Sequence, residues 1–219
     1  MKGSNGCINK HFEYEGVASH AGVAANAISD IARLDAYTRA SSFKKMIEIN
    51  GKINRALAAS AASLGCNLKI EDKPGNMPLN CDKNLLKLCE DIITDIFGED
   101  KIDYIDWPYG STDMGYLSCL IPAVHPEAAG AEGTSHGQDY QITDPVKSCI
   151  NPAKVLCCLA YRLLSNEARE AQKVIREFKP IFKNKEEYFD AINDIELNIS
   201  AVQYLENGNV LLRYKKTAE

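Results

Sequence analysis

No apolar stretch in this sequence approaches the about 20 residues needed to cross a bilayer. No basic block occurs either: the formal net charge is -5, and the lysines and arginines are scattered along the chain. These two absences argue against a membrane span and against nucleic acid as a partner. The opening residues, Met1-Lys2-Gly3-Ser4-Asn5-Gly6, are too polar for a signal peptide, so the expected location is cytoplasmic. The eight cysteines include no Cys-x-x-Cys pair, which removes support for a structural zinc site or a thioredoxin-like redox motif. Several lie in apolar patterns and read as buried reduced thiols. There are no internal repeats and no low-complexity tract. What is present is a chain of 219 residues with 45% hydrophobic content, enough for a sizeable core in one large or two small domains.

Residues 9–15 alternate, with Phe12 and Tyr14 on one face and Glu13 and Glu15 on the other, and read as a half-buried strand. A loop, Val17-Ala18-Ser19-His20-Ala21-Gly22, leads to a second strand over residues 28–40. From Ser42 the period changes. Phe43, Met46, Ile47, Ile53, Leu57, Ala61 and Leu64 recur at helical steps, and Gly65 supplies a stop. Leu68 and Ile70 then mark a short strand, giving the order strand, strand, helix, strand.

Pro74, Gly75, Asn76 and Pro78 read as a linker and a domain boundary. A helix started by Asn80 or Asp82 follows, with Leu85, Leu88, Cys89, Ile92 and Ile96 as its buried stripe and Gly98 as its end. The run Cys119-Leu120-Ile121-Pro122-Ala123-Val124 has the pattern of a strand buried in a helix-covered sheet, near an edge or bend because of its proline. Asp144-Pro145 opens a helix expected to bury Val146, Ile150, Ala153, Leu156, Leu159, Ala160 and Leu163. A further helix is expected over residues 167–179, and a hairpin over 198–215 turning at Asn207-Gly208.

Polar and ionisable groups concentrate between Trp107 and Asp144, where Ser111, Thr112, Asp113, His125, Glu127, Glu132, His136 and Asp139 flank the apolar run. Ligands of open helix-covered sheets sit beyond the carboxyl ends of the strands, which is where His125 and His136 fall. Each has a plainer reading. His125 fits a packed loop residue whose ring meets backbone carbonyls, His136 fits ligand or loop residue equally, Asp113 fits a helix cap, and His20 fits an exposed loop residue.

Four motifs go further. Gly16-Val17-Ala18-Ser19-His20-Ala21-Gly22 and Asn26-Ala27-Ile28-Ser29-Asp30 through Arg39 form the first pair. Gly110-Ser111-Thr112-Asp113-Met114-Gly115, together with Ile121-Pro122-Ala123-Val124-His125-Pro126, and Gly133-Thr134-Ser135-His136-Gly137 form the second. In order and spacing they resemble the co-catalytic zinc peptidases and amidohydrolases, the group of aminoacylase, carboxypeptidase G and p-aminobenzoyl-glutamate hydrolase. The resemblance covers most of residues 3–180. It implies that His136 is a ligand to one of two zinc ions, or manganese or cobalt, in a binuclear site. It implies that His20 is a lid histidine that stabilises a developing oxyanion in a partner subunit. Arg39 would grip the substrate carboxylate, with Asn26, Ser111 and Thr112 as further substrate contacts.

The resemblance also implies what is missing. The family's His-x-Asp motif, bridging aspartate and adjacent glutamates do not precede the lid motif here, and the span from Gly22 to Asn26 is too short for the family's lid helix and edge strand. The expected fold class is α/β, of the mixed α+β kind. A reduced ferredoxin-like lid is expected at residues 7–73, the closing part of a metallopeptidase catalytic domain at 78–180, and a tail of uncertain assignment at 181–219. The implied function is hydrolysis of an amide bond in a small N-acyl amino acid or dipeptide, aminobenzoyl-glutamate-like, with this chain incomplete by itself. The alternative is a non-catalytic subunit or remnant that binds a complementing chain carrying the missing ligands. A plain small-molecule binding domain ranks third. The shortened lid predicts a monomer, or irregular association through the edge of the strand at 28–40.

Overall fold

A computed structural model describes residues 1–16, 30–105 and 107–215. The chain is a mixed α and β structure with several small sheets. Its first elements are β1 (Gly3–Ser4), which was not expected, and then β2 (Gly6–Glu15), β3 (Ile31–Ala40), α1 (Phe43–Ser63) and β4 (Asn67–Pro74), in the order expected. Next come β5 (Leu79–Asn80), α2 (Lys83–Phe97), α3 (Met114–Ser118), β6 (Ala131–Glu132) and β7 (Gln141–Ile142). The last are α4 (Asn151–Glu177), α5 (Lys185–Asn193), β8 (Leu197–Ser200), β9 (Val202–Tyr204) and β10 (Val210–Leu212). Among the described residues no helix is long and apolar enough to cross a membrane.

The main sheet is antiparallel, in the order β3-β2-β4-β8. β3 is an edge strand, as expected; the predicted start of that strand at Ile28 lies outside the described residues. The fourth strand, β8, comes from the start of the stretch expected to form only a hairpin: Leu197 lies opposite Asp72 and Ser200 opposite Lys69. β9 and β10 form the predicted hairpin, with Gly208 at φ +81° in its turn.

α1 covers one sheet face. Ser42 caps it by accepting from the Lys45 amide. Its buried line is Met46, Asn50, Asn54, Ala58 and Ala61, whereas Ile47 and Leu64, expected inside, are exposed. The cause is a buried ion pair. Lys10 of β2 and Asp72 of β4 meet at 2.5 Å with both side chains fully buried, and a carboxylate so placed needs donors on its free side. Asn50 and Asn54 each donate to Asp72 Oδ2 at 2.7 Å, and Lys10 also donates to Asn50 Oδ1. Burial lowers the Lys10 pKa against the opposing pull of Asp72. Beside this network, Phe12, Leu68, Ile70 and Leu197 pack on Ala58 and Ala61.

A second apolar cluster draws on all three expected segments: Ile8, Ala40 and Met46 pack with Met77 and Cys119 and with Phe182, Tyr188 and Ile195. Phe43, Phe182 and Tyr188 stack edge to face. The Pro- and Gly-rich segment between β4 and β5 is tied down, since Cys7 exchanges backbone bonds with Asn76 and Gly75 and Met77 is fully buried.

Asp82 caps α2 through the Asn84 and Leu85 amides, and Gly98 ends it, as predicted. Asp144 Oδ1 accepts from the Val146 and Lys147 amides at the start of the next helical stretch, also as predicted. That stretch begins with one wide helical turn at Val146–Ile150, continues as α4, and is interrupted at residues 165–168, where Asn166, Glu167 and Ala168 take positive φ. The helix is therefore two, at the place the sequence suggested.

Two expectations fail here. Residues 119–124 form no strand. Cys119 O accepts from Ile181, Ala123 O accepts from Asp82, Pro122 has no amide proton, and no described strand runs alongside. The first part of the long helix buries only Val155 and Leu159, against Cys89 and Ile92 of α2. Val146, Ile150 and Leu156 are 55%, 50% and 59% exposed, because no described element covers that side.

Candidate functional site

Arg39 stands near the end of β3, opposite Cys7 of β2. Its guanidinium lies over the Tyr37 ring, 5.5 Å from the centroid, and Nη1 donates to Tyr109 O and to Ser111 Oγ, each at 3.2 Å. Ser111 Oγ is in turn 3.8 Å from Cys7 Sγ. Two residues named from separate motifs, 72 positions apart, thus meet directly.

The loop that delivers Ser111 is anchored on both sides. Trp107 Nε1 donates to Asn5 Oδ1, and α3 begins two residues beyond Thr112. The α3 turn is capped by Thr112, whose Oγ1 accepts from the Met114 amide; Asp113, the expected cap, makes no such bond. Gly115 is required by close approach: a Cβ there would lie 1.9 Å from Met77 O.

His136 sits elsewhere, in the turn joining β6 and β7, exposed and with φ +63°. The turn is held by Asp139, whose Oδ2 accepts from the Thr134 amide and hydroxyl. These bonds, the amide first, hold the Asp139 carboxyl below its usual range. Gly130, at φ +103°, braces the same hairpin, since its carbonyl accepts from the Thr143 and Asp144 amides and the Ser148 hydroxyl. No hydrogen bond, ion pair or ring contact joins His136 to Arg39 or Ser111. Among the described residues no three His, Cys, Asp or Glu side chains are grouped to hold a metal ion. His20 and Asn26 lie outside the described residues.

His125 is half-buried, and its Nδ1 is buried without a hydrogen-bond partner; the expected backbone carbonyl does not reach it. Its own amide bonds the Cys81 sulfur, a thiol whose pKa burial raises. All eight cysteines are free. Cys149 and Cys157, read as buried, are exposed on the uncovered side of the long helix.

The sequence reading missed the neighbours of Arg39. Tyr37 follows from strand alternation, as it shares a face with Arg39, and Cys7 from register, but the Tyr109 carbonyl carries no sequence signal. It also missed His11, whose Nδ1 is 2.6 Å from Asp35 Oδ1 with Glu71 opposite on the other neighbouring strand. These groups line a shallow depression of about 340 Å³ on the open sheet face, with Asn9, Tyr37 and Lys73.

Part of the chain is similar to known dipeptidases. It is similar to the Xaa-Arg dipeptidase of Mus musculus, with 28% identity over 133 residues, which is 57% of this chain and 30% of that protein. The Xaa-Arg dipeptidase of Homo sapiens is likewise 28% identical over 134 residues, again 57% of this chain and 30% of that protein. The chain therefore spans about 30% of the length of the curated relatives it matches. No protein-family profile matches it.

Proposed function

We propose that this chain is part of a metal-dependent amidohydrolase acting on a dipeptide or other small N-acyl amino acid. The observation that carries this reading is the contact between Arg39 and Ser111, which joins the lid-like sheet to the loop of the family's closing segment. In this reading residues 7–73 are the lid and 78–180 the closing part of the catalytic domain. Arg39 keeps unused donors beyond Tyr109 O and Ser111 Oγ, and a planar guanidinium offers two parallel bonds to a substrate carboxylate. Ser111 and Tyr109 fix the orientation of that fork, and the Tyr37 ring supports it from below. Thr112 shapes the turn beside them. His136 supplies one imidazole donor on an exposed, well-braced turn. The remaining donors come from the polypeptide that makes up the rest of the catalytic domain. His20 and Asn26 keep their family roles in the reading as the lid residues beside Arg39 in sequence.

The relatives' name, Xaa-Arg dipeptidase, supports a dipeptide as the probe. Titration of the chain with an arginine-ending dipeptide, followed by nuclear magnetic resonance, is expected to shift the Arg39 side-chain signals. The same dipeptide with an amidated terminus should bind at least about tenfold more weakly, the loss of one charge-assisted bond. Equal binding of the acid and the amide overturns the assignment.

A further inference from the structure

The Arg39–Ser111 contact joins two parts of the chain that are linked in sequence by the Pro- and Gly-rich residues 74–78. Units joined through such a stretch move relative to each other unless a sizeable apolar contact ties them. Here the tie comes from residues after α4. Phe182, Tyr188 and Ile195 are buried, and they pack with Ile8 and Ala40 of the sheet on one side and with Met77 and Cys119 on the other. Ala40 follows Arg39 directly in β3, and Ile8 follows Cys7, the residue opposite Arg39 in β2. Cys119 follows α3, the helix into which the Ser111 loop leads, and Tyr116 of α3 packs on the same cluster. One aromatic wedge therefore stands behind both partners of the contact.

The wedge is anchored to each part separately. Phe182 stacks edge to face on Phe43 of α1 and on Tyr188, with centroids 5.3 Å and 5.5 Å apart. The Ile181 and Phe182 amides donate to the Cys119 carbonyl at 3.0 Å and 3.4 Å. Asn184 fixes the start of α5 by accepting from the Glu187 amide, and beyond α5 the chain joins the main sheet as β8, beside β4.

Resting on the functional reading above, we propose that residues 181–195 are a positioning element, a strap that holds Arg39 against Ser111 so that the carboxylate site is formed before substrate arrives. The strap acts through Ile8 and Ala40 on the arginine side and through Tyr116 and Cys119 on the serine side. When it loosens, the sheet and the α3 loop separate, and the guanidinium loses Ser111 and the Tyr109 carbonyl together. Packing of this kind carries coupling between places that share no direct bond.

Nuclear magnetic resonance of the whole chain without ligand reads the strap directly. In the wild type the Arg39 Nη signals are expected to be resolved, because Nη1 is held at two acceptors. In Phe182→Ala they should average to those of a free guanidinium, as in Ser111→Ala. The amide signals of Phe12 and Ile70 in the sheet and of Leu85 and Cys89 in α2 should stay in place, showing that both parts remain folded. Phe182→Leu keeps an apolar side chain but loses the ring stacking; it should give a partial effect, and it supplies the readout if the alanine variant does not fold. Affinity for the arginine-ending dipeptide should fall about tenfold in Phe182→Ala.

Resolved, wild-type Arg39 signals in both Phe182 variants overturn the proposal. So does a change that spreads equally through the sheet and α2, since it would make Phe182 an ordinary core residue. The ligand-free signals do not depend on the substrate assignment. Equal binding of acid and amide dipeptides, with Arg39 responding to Phe182 as expected, removes that assignment and leaves the strap; unequal binding with an unresponsive Arg39 does the reverse.

Discussion

Arg39 of β3 donates to the hydroxyl of Ser111, 72 residues further along the chain, and this bond is where the lid-like sheet meets the loop that leads into α3. The guanidinium is held from three sides, by Ser111, the Tyr109 carbonyl and the Tyr37 ring.

That arrangement makes Arg39→Lys a stringent substitution. Lysine keeps the charge but loses the planar fork, and affinity for a carboxylate-bearing dipeptide should fall about tenfold while the fold survives. Ser111→Ala should cost less, and the double variant less than the sum of the two, since both residues serve one contact. Calorimetric titration of the four proteins measures the coupling; strict additivity would show that the bond does not orient the arginine.

The buried pair Lys10 and Asp72 sets a test of stability. Asp72→Leu leaves a buried ammonium without its carboxylate and should cost about 3–5 kcal/mol. Replacing both, Lys10→Met with Asp72→Leu, should recover part of that loss, limited by the orphaned amides of Asn50 and Asn54. Urea unfolding monitored by circular dichroism distinguishes the two cases. A double variant less stable than the single would count against a desolvated pair.

Two buried thiols predict a loss of stability in alkali. Burial raises Cys89 and Cys119 from 9.0 to about 11. Below about pH 9 both folded and unfolded chains hold these protons, and the contribution is fully present. As pH rises, the unfolded chain releases them first, so it binds fewer protons and stability declines until the folded thiols ionise near pH 11. The variant with Cys89→Ala and Cys119→Ala should show a shallower decline over that window, whatever its starting stability. Parallel curves for the two proteins would rule these thiols out.

Gly115 reports on how α3 seats against the segment before β5. A methyl group there collides with Met77 O, and Gly115→Ala should cost about 1–3 kcal/mol as the backbone yields. Because Met77 belongs to the cluster with Ile8, Met46 and Phe182, the change should also alter near-ultraviolet circular dichroism. Wild-type stability would mean that the helix and this segment are not in contact.

The sequence by itself determined the local elements whose cause lies within a few residues. Asp82 as a cap, Gly98 and Gly208 as breakers, and the alternation of Phe12 and Tyr14 are all present in the structure, because capping bonds, backbone sterics and side-chain period are short-range. The motifs also named Arg39 and Ser111 before either had a neighbour. Tertiary structure alone decided the rest. The run at 119–124 has the composition of a buried strand, but a strand requires a partner, and no described strand is there to pair it. The last segment reads as a hairpin, yet β8 becomes the fourth strand of the main sheet because Leu197 and Ile199 find the apolar layer around Ile70. Asn50 and Asn54 interrupt the expected stripe of α1 because Asp72, 18 residues or more away, requires their amides. Which face of a helix is buried depends on what stands opposite it, and that is why Ile150 and Leu156, apolar in sequence, lie open to solvent here.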